Sequence, residues 1–253
     1  MRKYWDYTKQ SAKAELKAEV TSSYLNWVWW ILDPLLFMMV YTFISEVVFG
    51  RKEKFFPAFV LIGLTIWNFF NRIVQGSVKL VKKNSSIVSK VYVPKFILII
   101  QKIMVNGFKM FVSFSLIIFL MIYLRVPVTY NVLFIIPILL VLLLVSFGIG
   151  NLMLHFGVFV EDLQNIMKVV LKLVFYMSGV FYSITDRVPS PYNEVMMVFN
   201  PTAFLMSSAR KCMIYGETPD VKLLVLWGIA GLLISGIALK VVYKYENSYV
   251  KVI

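Results

Sequence analysis

The residues best suited to chemistry lie in the segment between Glu161 and Tyr182. This segment opens with two acids, carries Lys168 and Lys172 one helical turn apart, and ends in aromatic residues. In a helix, spacings of three and four residues place side chains on one face. One face therefore carries the two lysines and, towards its far end, Phe175 or Tyr176, Gly179 and Tyr182.

This face has two interpretations. Lysine ammonium groups can pair with a phosphate, and phenylalanine and tyrosine rings can stack on the faces of sugars. Alternatively, the lysines of a membrane helix extend to the interface and its aromatic residues fill the core of a helix bundle. The pattern alone is compatible with a binding surface and with a packing surface, and it does not decide between them.

Residues for catalysis are not grouped in this sequence. No GxxxxGK[ST] phosphate loop is present, so the chain does not hydrolyse ATP by that route. His155 is the single histidine, and we interpret it as a helix-end or packing residue. Cys212 stands alone, which excludes an intrachain disulfide and a thiolate metal cluster. We therefore expect no catalytic residues, no metal site and no cofactor in this chain.

The composition is that of a membrane protein. Hydrophobic residues make up 60% of the 253 residues, and the mean hydropathy is +0.78. Long apolar runs with few charges predict membrane-spanning helices, because a helix satisfies its own backbone in lipid. The net charge of +13 is typical of cytoplasmic lysines that face anionic lipid, and we expect no binding to nucleic acid.

The hydropathy pattern predicts a single all-α membrane domain, residues 1–253, with six spans. We predict these spans at residues 27–49, 55–74, 96–123, 132–159, 163–183 and 221–243. Residues 4–24 alternate apolar and basic stripes at helical spacing, which predicts an amphipathic helix on the membrane surface. A solvated helix that packs against another subunit is the alternative.

Two connections between spans also have predicted structure. Residues 84–94 read as a short capped helix before Pro94, suited to docking a soluble partner. Residues 189–216 read as two short helices that re-enter the outer leaflet, the second capped by Asn200 and begun by Pro201. A pair lying on the surface is the alternative.

Charge placement predicts the orientation. Six spans put both termini on one side, and lysine and arginine outside the spans are more numerous on that side than on the other. The excess favours both termini in the cytoplasm.

Five segments, in order along the chain, resemble the membrane subunit of bacterial ABC transporters that export polysaccharide, O-antigen, capsule or teichoic acid. They are SSYLNWVWWILDP, GLTIWNFF, SSIVSKVYVPK, FVEDLQNIMKVVLKLVFYMSGVFY and NPTAFLMSSARKCMIYG. The resemblance covers nearly the whole chain. One position departs from the pattern, because Glu161-Asp162 stands where many members have Arg-Asp.

The resemblance implies a function and partners. It implies the channel-forming permease of an ATP-driven exporter of lipid-linked polysaccharide or teichoic acid, multi-pass in the bacterial cytoplasmic membrane. It implies a homodimer of this subunit with two copies of a separate P-loop ATPase, which would carry ATP and Mg²⁺. The permease itself is then not an enzyme.

The resemblance also implies roles for particular residues. The expected aromatic substrate path is Trp30, Phe37, Tyr41, Phe175, Tyr176, Phe181 and Tyr182, with Lys168 and Lys172 as candidate phosphate contacts. The expected ATPase-coupling residues are Ser86, Ile87, Val88, Ser89, Lys90 and Tyr92. The expected external gate is Asn200, Pro201 and Arg210.

Two other functions share parts of this pattern. The permease of an ATP-driven exporter of drugs or small lipids has the same architecture, but we expect fewer aromatic residues in its path. A membrane enzyme acting on polyprenyl-linked sugars would need a histidine or a second acidic cluster near Glu161-Asp162, and the sequence provides neither.

Overall fold

A computed structural model describes residues 2–21, 26–48, 54–88 and 92–252, and these residues are helical without any strand. The helices, in chain order, are α1 Arg2–Thr21, α2 Trp29–Phe43, α3 Phe56–Ser77, α4 Leu80–Lys83, α5 Ser85–Val88, α6 Phe96–Tyr123, α7 Ile135–Phe159, α8 Leu163–Met177, α9 Ile184–Arg187, α10 Tyr192–Phe199, α11 Pro201–Arg210 and α12 Val221–Val252. Single turns of π-helix extend α2 to Val48 and α11 to Tyr215. The predicted all-α membrane fold is confirmed.

Five helical segments in the described parts are long and apolar enough to cross a bilayer. They are Trp29–Val47, Phe56–Ser77, Phe96–Tyr123, Tyr130–Phe159 and Val221–Tyr249. The sixth predicted span, residues 163–183, is not among them, so the count of six is not confirmed. Its helix, α8, has 15 residues, about 22 Å of length, against about 30 Å for the hydrocarbon core.

The early end of α8 has a local cause. Gly179 adopts a left-handed conformation, with φ of +66°, which a regular helix cannot include. A Cβ at this position would lie 2.6 Å from Cγ1 of Ile184, so the chain turns where only glycine fits. The Ser178 hydroxyl also donates to the carbonyl oxygen of Val174 at 2.6 Å and closes the last turn.

Helix α3 is the centre of the bundle and is buried on nearly all sides. Helices α2, α6, α7, α8 and α11 all pack against it. Two contacts show that α8 runs along α3 in the opposite direction. Near the start of α8, Gln75 of α3 donates to the Gln164 carbonyl oxygen at 3.3 Å. Beyond the end of α8, the turn at Gly179 lies beside Phe59 of α3, and Arg210 bonds both. The segment from α8 to this turn therefore follows most of the length of α3.

Helices α7 and α12 form the most extensive contact in the described bundle. A Cβ on Gly148 would lie 2.9 Å from the backbone nitrogen of Ser235, so the two backbones meet directly. The Ser235 hydroxyl donates to the carbonyl oxygen of Leu144 at 3.0 Å. Small residues at a helix contact permit this close approach, as the glycines in the sequence predict.

The two ends of the bundle differ. The first, which we call the α1 end, contains α1, residues 78–88, residues 92–95 and the last turns of α12. The second, which we call the α11 end, contains α9, α10 and α11. Helix α12 continues to Val252, beyond the predicted end at 243, because Tyr249 is fully buried in a cluster that includes Leu80 and Leu154.

Helix α1 packs on α6 at the α1 end. Thr8 and Ala12 are buried, whereas Trp5 remains half exposed. Glu15 forms an ion pair with Lys102 of α6, and Glu19 forms one with Lys109 at 2.5 Å. Two ion pairs along one face therefore attach α1 to a long apolar helix.

The two short helices predicted within residues 189–216 are present as α10 and α11. Helix α10 is largely exposed, whereas α11 is buried against α3 and α7. Helix α11 therefore lies in the bundle core, and re-entry of the pair into the outer leaflet stays a prediction.

Candidate functional site

A cleft of about 400 Å³ lies between α2, α3 and α8. Clefts that bind small molecules typically have volumes of about 300–1,000 Å³. Its walls combine aromatic, amide, acidic and basic side chains: Asp33, Phe37, Leu64, Trp67, Asn68, Asn71, Gln75, Lys168, Leu171, Lys172 and Phe175.

The aromatic residues at the cleft form a connected cluster. The rings of Tyr41 and Phe181 stack with centroids 3.4 Å apart, and Phe175 meets Phe181 edge-on at 5.2 Å. Trp67 lies 5.3 Å from Phe175, and Phe37 lies 6.4 Å from Tyr41. Tyr176 meets Phe175 edge-on at 5.4 Å. The structure thus brings together five residues of the predicted aromatic path and adds Trp67.

Tyr176 is the member of this cluster that is 55% exposed. The two other residues of the predicted path lie elsewhere or are already engaged. The Tyr182 hydroxyl donates to the Tyr176 carbonyl oxygen at 2.8 Å, so it caps the end of α8. Trp30 lies outside the cleft, against Phe108 of α6 at 5.8 Å.

The charged groups of the cleft are unequal in number. Lys168 and Lys172 are exposed on α8 and face the cleft. Asp33 lies on the α2 side and forms an ion pair with Arg72 of α3 at 3.8 Å. With two ammonium groups and one carboxylate, the cleft favours an anion, and a phosphate oxygen is the natural partner for its lysines. Glu161 and Asp162 precede α8, are exposed and do not line the cleft.

Three amides of α3 line the cleft, and sequence reasoning did not assign them to the site. Asn68, Asn71 and Gln75 follow spacings of three and four residues, which places them on one face. Amides at this spacing in a membrane helix are the signal that could have identified them, because polar residues in such helices face the interior or a water-filled cavity.

The expected gate residue Asn200 organises a polar network at the α11 end. Its Oδ1 atom accepts from the backbone nitrogens of Thr202 at 3.1 Å and Ala203 at 3.2 Å, which caps α11 as predicted. Its amide nitrogen donates to the Ser178 hydroxyl at 3.0 Å. Pro201 occupies the first position of α11. The start of α11 is therefore attached to the end of α8.

Arg210 joins three elements at the same end. Its guanidinium donates to the carbonyl oxygens of Phe59 at 3.1 Å, Gly179 at 2.7 Å and Val180 at 2.7 Å. The side chain is 4% exposed, and its charge lies 3.5 Å from the centroid of the Phe59 ring. A Cβ on Gly63 would lie 2.3 Å from Nη2 of Arg210, so this glycine provides the space.

Residues 9–214 match the ABC-2 type transporter family. The chain belongs to this family. It is 28% identical over 209 residues to the O-antigen export system permease protein RfbA of Myxococcus xanthus, covering 82% of this chain and 80% of that one. It is 25% identical over 241 residues to a protein of the same description from Klebsiella pneumoniae, covering 94% and 92%.

Membership of the ABC-2 family identifies the kind of protein. With its long apolar helices, the chain is a multi-pass inner-membrane transport subunit and not an enzyme. The ABC-2 family also implies a separate ATPase partner subunit. This result removes the membrane-enzyme alternative raised by the sequence.

The segment expected to contact the ATPase lies at the α1 end of this ABC-2 permease. In α5, Ser86 is exposed and Val88 is buried. The side chain of Ile87 and the whole of Ser89 and Lys90 lie outside the described parts. Tyr92 is 58% exposed.

Tyr92 attaches this segment to α12. Its hydroxyl donates to Oε1 of Glu246 at 2.6 Å, and this hydrogen bond, with partial burial, raises the pKa of Tyr92 to about 12. Lys95 is buried beside the pair, and burial lowers its pKa. The connection between α3 and α6 is therefore fixed to the end of α12.

His155 packs at this same end, as predicted. Its Nδ1 atom lies 2.7 Å from the Tyr249 hydroxyl. The rings of Phe156, Phe159 and Tyr245 surround it at 5.1 to 5.2 Å.

Proposed function

We propose that this chain is the permease subunit of an ATP-driven exporter that moves a lipid-linked polysaccharide of the O-antigen type across the cytoplasmic membrane. The observation that carries the proposal is the cleft between α2, α3 and α8, which holds aromatic rings, amides and two lysines. The proposal is also supported by the relatives, which are named O-antigen export permeases.

The chemistry of the cleft suits a glycan joined to a phosphate. Aromatic rings such as Trp67 and Phe175 offer flat faces for sugar rings. Lys168 and Lys172 would pair with a phosphate of the lipid carrier. The Asp33 carboxylate, which is paired with Arg72, would repel a phosphate and so weaken its binding on the α2 side.

A homodimer would complete the path. Leu171 is the buried residue of α8, whereas Val169, Leu173 and Met177 are more than half exposed. Lysines on such a helix are costly if they face lipid and tolerable if they line a water-filled cavity. A second copy that faced α2 and α8 across the cleft would enclose the lysines and the aromatic cluster in a shared channel.

The proposed orientation follows from the two ends. The segment from α8 to Gly179 would act as a sixth, short crossing, because it follows α3 for most of its length. Both termini and residues 84–94 would then face the cytoplasm, where two ATPase subunits bind ATP and Mg²⁺. Helices α10 and α11 would dip into the outer leaflet, with Asn200, Pro201 and Arg210 near the external exit.

The test is export in a strain that lacks this chain. We expect the strain to accumulate lipid-linked glycan inside and to lose its surface polysaccharide, and the wild-type chain to restore both. A strain that carries the wild-type chain with an ATPase partner disabled in its phosphate loop is the control and should not export.

Other results would redirect the proposal. Normal surface glycan with a defect in drug or small-lipid efflux would favour the small-molecule exporter. Loss of capsule or teichoic acid alone would keep the mechanism and change the polymer. Failure to copurify with any ATPase from native membranes would contradict the ATP-driven assembly.

A further inference from the structure

The amide face of α3 points into the cleft with unused hydrogen-bonding capacity. Asn68 and Asn71 are half-buried and line the cleft. Neither side chain makes a hydrogen bond to another residue in the described ranges. Gln75, at the end of the same face, uses its amide nitrogen to bond the Gln164 carbonyl oxygen. The two asparagines are therefore the amides available to a ligand.

Two other asparagines of the bundle use their amide nitrogens within their own helices. The amide nitrogen of Asn106 donates to the Lys102 carbonyl oxygen at 2.9 Å, and that of Asn151 donates to the Phe147 carbonyl oxygen at 2.8 Å. Asn68 and Asn71 lack such a bond although their helix offers the same carbonyl groups. An unpaired amide costs free energy away from water, so a wet or ligand-filled cleft must satisfy these two.

The neighbours of these amides divide the cleft by chemistry. Trp67 and Phe175 form an aromatic surface beside them, and Lys168 and Lys172 lie across from them on α8. A lysine pairs with an anion as a point charge, so it does not distinguish one sugar from another. An amide carries both donors and an acceptor, which matches the paired donor and acceptor of adjacent sugar hydroxyls.

We propose that Asn68 and Asn71 determine sugar specificity in this cleft by hydrogen-bonding the hydroxyl groups of the carrier-proximal sugar, while Lys168 and Lys172 hold the phosphate. This inference rests on the proposed function. Sites that hydrogen-bond a substrate hydroxyl discriminate strongly against ligands that lack it. The cleft thus separates recognition of the carrier from recognition of its cargo.

The experiment compares two ligands on one complex. The full-length permease with its ATPase partner is placed in nanodiscs, and Kd is measured for the native lipid-linked glycan and for sugar-free polyprenyl pyrophosphate of equal chain length. The test variant is Asn68→Leu/Asn71→Leu, and Asn165→Leu is the matched control, because Asn165 is exposed on α8 and does not line the cleft.

We expect the double variant to raise Kd for the glycan by about 25-fold, since two hydrogen bonds are lost and each contributes roughly fivefold. Its Kd for the sugar-free carrier should be unchanged, and Asn165→Leu should alter neither value. If the leucine variant does not fold, Asn68→Ser/Asn71→Ser serves instead, because serine keeps the surface polar and removes the amide. It should shift Kd for the glycan in the same direction.

Three outcomes would overturn the inference. Unchanged glycan binding would show that the amides do not contact the sugar. Equal weakening of both ligands would show that they only keep the cleft hydrated. A wild-type complex that binds neither ligand would overturn the proposed function together with the inference, so the two failures are distinguishable.

Discussion

Two sides of the bundle differ in how closely their helices pack, although α7 on one side and α2 and α8 on the other all contact α3. Helices α7 and α12 meet through Gly148, Gly231 and Ser235 with their backbones in direct contact. Helices α2 and α8 bury few residues and leave a cleft between them and α3. We call the close-packed pair α7 and α12 the scaffold. We call the polar lining of the cleft on α2, α3 and α8 the polar wall.

The sequence difference behind this contrast is the placement of small and polar residues. Glycine on α7 lets two long helices interlock, and van der Waals contact is what drives helix association in a membrane. On the other side, lysines and asparagines replace apolar residues and prevent close packing. The close-packed contact and the proposed transport path thus lie on different sides of the bundle, and α3 borders both.

The largest effect is expected at Arg210. This residue of α11 attaches the turn after α8 to α3. Replacement by methionine removes three charge-assisted hydrogen bonds from a buried side chain to carbonyl oxygens. We expect a loss of about 3 kcal/mol or more in the free energy of unfolding. Denaturation in detergent measures it, with Arg125→Met as control because Arg125 is exposed. An equal effect of both would contradict the role of Arg210.

The scaffold itself is tested by Gly148→Ala. The new Cβ would lie 2.8 Å from the Ile234 side chain and 2.9 Å from a backbone atom of Ser235, so the helices must separate. We expect a loss of about 1–3 kcal/mol in unfolding free energy. Gly236→Ala is the matched control, since nothing lies within 4 Å of its Cβ, and it should be neutral or stabilising. Similar melting temperatures for the two variants would refute the contrast.

The polar wall is tested by Lys168→Gln/Lys172→Gln. Both lysines are exposed, so the unfolding free energy should change by no more than about 0.5 kcal/mol. Binding of sugar-free polyprenyl pyrophosphate should weaken by about tenfold, because an ion pair with phosphate is lost. Lys222→Gln, exposed at the start of α12, should change neither quantity. A large loss of stability with intact binding would make α8 part of the scaffold.

The smallest expected effect concerns Tyr92→Phe at the α1 end. The hydrogen bond to Glu246 raises the pKa of Tyr92 to about 12, above its ordinary value of 10.0. The stabilisation is therefore complete below pH 10 and is lost as the pH rises through 12. Below pH 10, denaturation in detergent should give the variant a free energy of unfolding that is lower by about 1 kcal/mol. The two proteins should converge near pH 12, and a constant difference would exclude this hydrogen bond as the cause.

Much of the fold could be predicted from local pattern. Helix α6 has the predicted limits, because a long apolar run is bounded by Pro94 on one side and a turn on the other. Asn200 and Pro201 begin α11 as predicted, since capping depends on neighbours in sequence. The end of α8 could not be predicted, because the conformation of Gly179 depends on Ile184 and Arg210, which come from other elements.

The cleft was predicted in part. The lysines and Phe175 were identified because they share one helical face, which sequence spacing determines. The stacking of Tyr41 on Phe181 and the contact of Trp67 with Phe175 join distant segments, and spacing carries no information about such pairs. Asn68 and Asn71 had the correct spacing, but their importance depends on which face of α3 remains unpacked.

The ion pairs between α1 and α6 have a mechanical consequence. Lys102 and Lys109, two turns apart on α6, each pair with an acid of α1, so relative sliding of the two helices would break both pairs at once. We therefore expect α1 and the adjoining half of α6 to move as one rigid body. A protein that displaced α1 would therefore also displace this part of α6.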